Sequence, residues 1–234
     1  MHSLPLTKCK RKNGLFITFE GIESCGKSTH VKLLAEFLKA NSYEVVETRE
    51  PGGTPLGESI REILKYAKNK ISPLAEAFLF ASARAQLINE VILPALSAGK
   101  IVISDRFVDS SLAYQGYGRK LGVNKVMAIN RFALSANNQS PSGKYLMPHF
   151  TFLLDIPVDV AIDRINSRYA RNKEYIDRFE KESAQFYKNV RSGYLTLASR
   201  WKKRYCIIDA TADINTVQQQ IQEKVQNVIT KFLH

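Results

Sequence analysis

Apolar residues along this chain alternate between short continuous runs and helical stripes. Five runs read as strands: Leu15–Glu20, Glu44–Thr48, Ile101–Ser104, Phe150–Asp155 and Tyr205–Asp209. After the first run, Val31, Leu34 and Leu38 fall on one helical face, with Leu33 and Phe37 beside them. Pro73 to Ala98 predicts one long helix: Ser72 suits the N-cap, Pro73 the first position and Gly99 the stop. Pro94 should kink its last turn. Ile214 to Phe232 carries Val217, Ile221, Val225, Val228 and Phe232 on one core-facing stripe. Asn137 to His149 is polar, with Pro and Gly, and reads as a surface loop. Strands alternating with helices imply an α/β fold of three layers, a five-stranded parallel sheet flanked by helices. One domain over 14–234 is expected, with residues 1–13 as a loose basic tail. Ligands of such sheets collect outside the carboxyl ends of the strands.

Three motifs follow strands, and they should face one crevice. The first, "FEGIESCGKST", sets Gly21, Gly26, Lys27 and Ser28 in the G-x-x-x-x-G-K-S register of a phosphate-binding loop. Its glycines let backbone N–H groups close on phosphate oxygens, Lys27 adds charge, and Ser28 offers a hydroxyl to Mg²⁺. The expected ATP-binding set is Gly21, Ile22, Glu23, Ser24, Cys25, Gly26, Lys27, Ser28 and Thr29. The other two motifs are "TREPGG" (Thr48 to Gly53) and "SDRF" (Ser104 to Phe107). Guanine-reading N-K-x-D and switch D-x-x-G motifs are missing from the sequence. The strand before Asp105 ends in Asp-Arg, not the Asp-Glu pair of motor ATPases. An acid managing Mg²⁺ and a cation holding an acceptor phosphate fit this pair.

Charge adds one constraint. The formal net charge is +12, which calls for an anionic partner, nucleotide or nucleic acid. "RWKKRY" (Arg200 to Tyr205) is the only basic patch interleaved with aromatics. Cys9, Cys25 and Cys206 are scattered and fit a reducing cytoplasm. Cys25 reads as a small filler in the loop, open to alkylation. The four histidines have no metal-ligand spacing. Residues 1–13 lack the apolar core of a secretory signal, and no apolar run suits a membrane span, so no membrane partner is expected.

Several segments together resemble the thymidylate kinases, in the P-loop nucleoside monophosphate kinase class. They are the phosphate loop, "TREPGGTPLGESIREIL" (Thr48 to Leu64), "EAFLFASARAQLI" (Glu76 to Ile88), "SDRFVDSSLAYQGYGRKLG" (Ser104 to Gly122) and "DRFEKES" (Asp177 to Ser183). The fourth is the most specific. The resemblance implies a P-loop NTPase fold with a mobile lid over about 164–178. It implies the Mg²⁺-dependent reaction ATP + dTMP → ADP + dTDP, a homodimer and no nucleic-acid partner.

Residue roles follow from the same resemblance. Phe80 is expected to stack on thymine and Arg84 to hydrogen-bond its edge; on spacing alone Phe80 reads as core. Arg106, Arg61 and Arg49 would surround the dTMP phosphate, where a planar fork suits a dianion. Glu23 would meet the sugar 3′-OH. Ser111, Tyr114 and Gln115 would line base and sugar, and Glu50 would lie near the acceptor. Ser28 and Asp105 would serve the metal. Lys27, Arg106, Asp105 and the lid residues Arg168 and Arg171 would be catalytic. The phosphate loop has no basic residue before Gly26, which matches the bacterial-type branch with its arginines in the lid. Two departures stand out: Pro148-His149 replaces the usual Pro-Asp, and the preceding loop is longer. A nucleoside kinase with Glu50 as base, or a nucleic-acid-binding protein, would need different cations from these.

Overall fold

The computed structural model describes residues 14–135, 145–172 and 177–233. The basic tail, the polar loop before residue 145 and the lid tip at 173–176 lie outside the described residues. In chain order the elements are β1 (Leu15–Glu20), α1 (Lys27–Ala40), β2 (Val45–Arg49), α2 (Pro55–Tyr66), α3 (Pro73–Leu87), a π-helical turn (Ile88–Ile92) and α4 (Leu93–Ser97). Next come β3 (Ile101–Asp105), α5 (Val108–Ser111), a second π-helical segment (Leu112–Gly118), α6 (Val123–Leu134), β4 (Phe150–Asp155), α7 (Val158–Asn172), α8 (Ala184–Arg200), β5 (Tyr205–Asp209) and α9 (Ile214–Leu233).

All five expected strands form, in the order β2-β3-β1-β4-β5, and every pairing is parallel. β2 and β3 each run one residue further than their apolar runs. Thr48 and Arg49 pair with Ser104 and Asp105, so the ladder carries two polar pairs to the carboxyl edge. β1 is buried along its whole length, with β3 on one side and β4 on the other. Its side chains alternate between two cores. Leu15, Ile17 and Phe19 join Leu34 and Leu38 of α1 and Ile221 and Val225 of α9. Phe16 joins Val102, Leu87, Ile88, Ile92 and Leu134 on the opposite face. Each such fully buried side chain contributes about 1.5–3 kcal/mol. The phosphate loop therefore springs from the most tightly held strand.

The long helix starts as its caps predict: Ser72 Oγ accepts from the Ala75 N–H at 3.3 Å. The kink expected at Pro94 appears earlier. Pro94 has no N–H, so the Glu90 carbonyl has no partner four residues on. The chain responds with the π-helical turn at Ile88–Ile92, then resumes as α4. One stripe residue is misplaced: Phe232 is exposed rather than in the core, though its ring meets His149 at 5.6 Å.

His149 explains the Pro-His departure. Its Nδ1 accepts from Phe16 N–H at 2.9 Å, and its own N–H donates to the Phe16 carbonyl at 2.9 Å. Burial pushes its pKa down, which keeps the accepting nitrogen free of a proton. The histidine thus acts as an acceptor bracing β1.

Candidate active site

The three strand-end motifs meet at one crevice of about 970 Å³ at the carboxyl edge of the sheet. On one wall lies the phosphate loop. Gly21 has φ +142°, and a Cβ there would fall 2.4 Å from the Leu154 carbonyl oxygen. Gly26 has φ +96° and sits at the N-cap of α1 without any side-chain cap, and no acid occupies the first turn. The helix N-terminus is open to an anion. Lys27 is nearly buried. Its Nζ donates to the Ile22 carbonyl at 2.8 Å and lies 3.4 Å from Cys25 Sγ. Cys25 is itself buried, which overturns the expectation of an alkylatable thiol and leaves the filler role.

Ser28 Oγ donates to an Asp105 carboxylate oxygen. One hydroxyl and one carboxylate side by side suit a hard cation such as Mg²⁺, whose remaining ligands come from phosphates and water. Consistent with so sparse a protein set, the described residues hold no cluster of three or more His, Cys, Asp or Glu able to bind a metal.

Arg106 crosses between the walls. Its backbone is left-handed at φ +75°, a strained state for arginine, and its N–H is held by the Phe19 carbonyl at 2.9 Å. Nη1 donates to the Gly21 carbonyl at 2.9 Å and to the Ser110 and Tyr194 hydroxyls, both at 3.2 Å. Nη2 donates to Glu23 at 2.8 Å and Tyr114 Oη at 3.2 Å. Burial alone would raise the Glu23 pKa. Arg106 and Lys27, with the Tyr114 hydrogen bond, instead hold it at about 2.

The opposite wall carries Phe80, Ser111, Tyr114 and Gln115. Phe80 meets the Phe179 ring edge at 5.9 Å, and Phe179 also lines the crevice. Arg84 is placed differently from the expectation. It is fully buried behind this wall and donates to Glu50, Ser111 and Asn130. It braces the lining residues Ser111 and Glu50, and a direct contact with a base requires one of them to yield. Arg49 and Arg61 line the crevice; Arg49 is paired with Glu58 at 3.0 Å and Arg61 donates to the Pro51 carbonyl at 2.8 Å. Arg168 and Arg171 line the far end. Arg168 reaches Glu180 and the Ser24 hydroxyl, and Arg164 reaches the Ser24 and Ala210 carbonyls.

"RWKKRY" is not a nucleic-acid patch throughout. Arg204 forks onto both oxygens of Asp109 at 2.7 Å and packs against Trp201 and Tyr205.

Sequence reading missed Glu20, Glu58, Glu76, Arg119, Arg178 and Tyr194. Glu20 is fully buried at the end of β1 and accepts from Phe107 N–H, Ser110 and Tyr194. Burial, then repulsion from Asp109, pushes its pKa up to about 8. A carboxyl raised in the folded state binds its proton more tightly there than in the unfolded chain. The stability linked to that proton is full below the unfolded value and falls as pH rises from about 4.5 to about 8. Glu20→Gln, neutral throughout, should flatten the decline of Tm between pH 5 and 8. Parallel Tm profiles for variant and parent would refute the assignment.

The thymidylate kinase family model matches residues 19–221. Thymidylate kinase of Kosmotoga olearia is 44% identical over 220 residues, covering 94% of this chain and 99% of that one. The Caldanaerobacter subterraneus subsp. tengcongensis thymidylate kinase is 44% identical over 216 residues, covering 92% and 97%. A crystal structure of thymidylate kinase from Ehrlichia chaffeensis superposes with TM-score 0.70 at 33% identity, covering 91% of this chain and 98% of that one. With the phosphate loop, the Asp105-Arg106 pair and the aromatic wall on one crevice, and matches spanning nearly the whole chain, this protein belongs to the thymidylate kinase family.

Proposed function

We propose that this chain transfers the γ-phosphoryl group of ATP to the phosphate of dTMP, giving ADP and dTDP. The observation that carries the reading is the crevice itself, lined by Lys27 and Ser28 of the phosphate loop and by Phe80, Ser111 and Gln115, with Arg106 between them. The attacking oxygen belongs to a phosphate that is already ionised, so no side chain needs to remove a proton. Catalysis is then positioning and charge compensation on a loose transition state. The loop N–H groups and Lys27 hold the donor phosphates, and Arg106, with Arg49 and Arg61, the acceptor. Ser28 and Asp105 would hold Mg²⁺, which when bound neutralises and orients the ATP phosphates. Arg168 and Arg171 complete the charge as the lid closes.

The base reading rests on Phe80 for stacking and on Gln115 for polarity. Gln115 Oε1 is buried with no hydrogen-bond partner among the described residues. Thymine has an N–H at ring position 3; cytosine has a bare acceptor nitrogen there. Tyr114, held by Arg106 and Glu23, crowds a ribose 2′-OH, and Glu23 meets the 3′-OH.

Helices α2, α3 and α6 expose Leu56, Ile63, Leu74, Phe78 and Phe132, the last at 85%. Such a face on adjoining helices supports a homodimer in a cytoplasmic enzyme. No helix among the described residues is long and apolar enough to cross a membrane. A coupled ADP-release assay across dTMP, dUMP, dCMP, dGMP and AMP should rank dTMP first by kcat/KM. dUMP should follow within about 10–200-fold, since one methyl is worth only about 1–3 kcal/mol. First rank for AMP or dCMP would overturn the reading, and a monomeric mass by sedimentation equilibrium on the same sample would overturn the dimer.

A further inference from the structure

Glu76 lies one helical turn before Phe80 on α3 and is fully buried. Among the described residues, its carboxylate accepts four hydrogen bonds, all from N–H donors. Oε1 accepts from Gln115 Nε2 at 2.7 Å and Arg119 Nε at 3.1 Å. Oε2 accepts from Arg119 Nη2 at 3.2 Å and Arg178 Nη1 at 2.6 Å. Two guanidinium groups thus compensate the carboxylate, and Glu182 pairs with Arg119 in turn.

A glutamine side chain has a donor end and an acceptor end that are interchangeable by a half-turn. A bare carboxylate accepts only. It therefore takes the Nε2 end of Gln115 and rejects the Oε1 end. The end left over is the acceptor, and it is the buried, unpartnered atom of a residue lining the crevice. Leaving such an atom unsatisfied is costly, so a ligand N–H offered to it is favoured and a ligand acceptor is not.

We propose that Glu76 is a positioning residue for base choice. It locks the Gln115 amide with its acceptor end available to the bound base, so the crevice favours a pyrimidine bearing an imide N–H over one bearing a ring-nitrogen acceptor. The proposal rests on the reading of this crevice as the dTMP site. Arg178 adds a second consequence of the same anchor. It precedes Phe179, so the carboxylate that sets the amide also pins the aromatic ring packed against Phe80.

The test is the ratio of kcat/KM for dTMP to that for dCMP. Glu76→Gln can donate as well as accept, so Gln115 loses its fixed direction. The ratio should fall at least about tenfold, with the loss in the dTMP KM. General loosening would lower both substrates together and leave the ratio alone. Gln115→Leu should lower the ratio by a similar factor, and Glu76→Gln added to Gln115→Leu should lower it no further. If Glu76→Gln does not fold by circular dichroism, Glu76→Asp keeps the charge between the arginines but withdraws it from Gln115. An intermediate fall in the ratio is then expected. An unchanged ratio in the Glu76 variant, or a further fall in the Gln115→Leu background, overturns the proposal. A parent enzyme with no preference for dTMP over dCMP would instead overturn the function on which it rests.

Discussion

Lys27→Ala should lower kcat by at least about 100-fold, the scale set by removing one preorganised donor from a developing anion. Affinity for dTMP should change little, because Lys27 sits on the donor wall. Its Nζ rests on the Ile22 carbonyl and beside Cys25 Sγ, within its own loop. Those contacts keep a nearly buried ammonium solvated by protein, ready to be exchanged for phosphate oxygens. Alanine removes the charge and leaves the Ile22 carbonyl without that donor, so the loop loses both its cation and an internal brace. Lys27→Met keeps most of the packing and removes the charge alone. Both variants should fail alike in single-turnover chemistry, with dTMP binding followed by calorimetry. Turnover near the parent's in Lys27→Met would mean that the charge is not used in the transition state.

Arg106→Ala should act at the other wall and more broadly. Its guanidinium joins Gly21, Ser110, Tyr194, Glu23 and Tyr114 through a single planar fork. Without it, half-buried Glu23 loses its principal counter-charge, and its carboxyl pKa must rise from about 2. The dTMP phosphate loses a fork that alanine cannot replace. The KM for dTMP should rise by at least about 30-fold, since truncating one partner of a hydrogen-bonded charge pair in a binding site costs about 2–5 kcal/mol. Arg106→Lys should recover little, as one point charge cannot span five acceptors. The double variant Arg168→Ala, Arg171→Ala gives the contrast. It should lower kcat more than about tenfold, well short of a full arginine-finger effect, and leave dTMP affinity nearly unchanged. A double variant that turns over like the parent would make these arginines surface charge. Loss of dTMP binding in the double variant, with normal affinity in Arg106→Ala, would reverse the two assignments.

The parts legible in the sequence are those written locally. The phosphate loop occupies consecutive residues, and its glycines are demanded by φ and by the Leu154 carbonyl. Strand runs and the Ser72-Pro73 start are likewise short-range signals. What escaped is long-range pairing. Glu76 finds its partners 39, 43 and 102 residues away, and nothing near it in the chain marks it as other than a first-turn helix acid. Glu20 looked like the end of a strand because the Tyr194 hydroxyl that meets it lies 174 residues on. The resemblance implies a base contact for Arg84, one helical turn after Phe80. Spacing fixes a helix face but not depth, and the Glu50 carboxylate draws the guanidinium inward. The π-helical turn before Pro94 was invisible because proline states that a bond is missing, not where the helix will absorb it.

Arg106 touches the phosphate loop at two points, the Gly21 carbonyl and the Glu23 carboxylate, while the proposed function gives it the acceptor phosphate. Under that assignment the two nucleotide sites would share a mechanical element, and a shift of Arg106 on dTMP binding would reach the loop proposed to hold ATP. Thermodynamic reciprocity then fixes a symmetric relation: the factor by which bound dTMP changes ATP affinity equals the factor by which bound ATP changes dTMP affinity. Binding order is then set by concentrations and association rates, and not by the coupling itself.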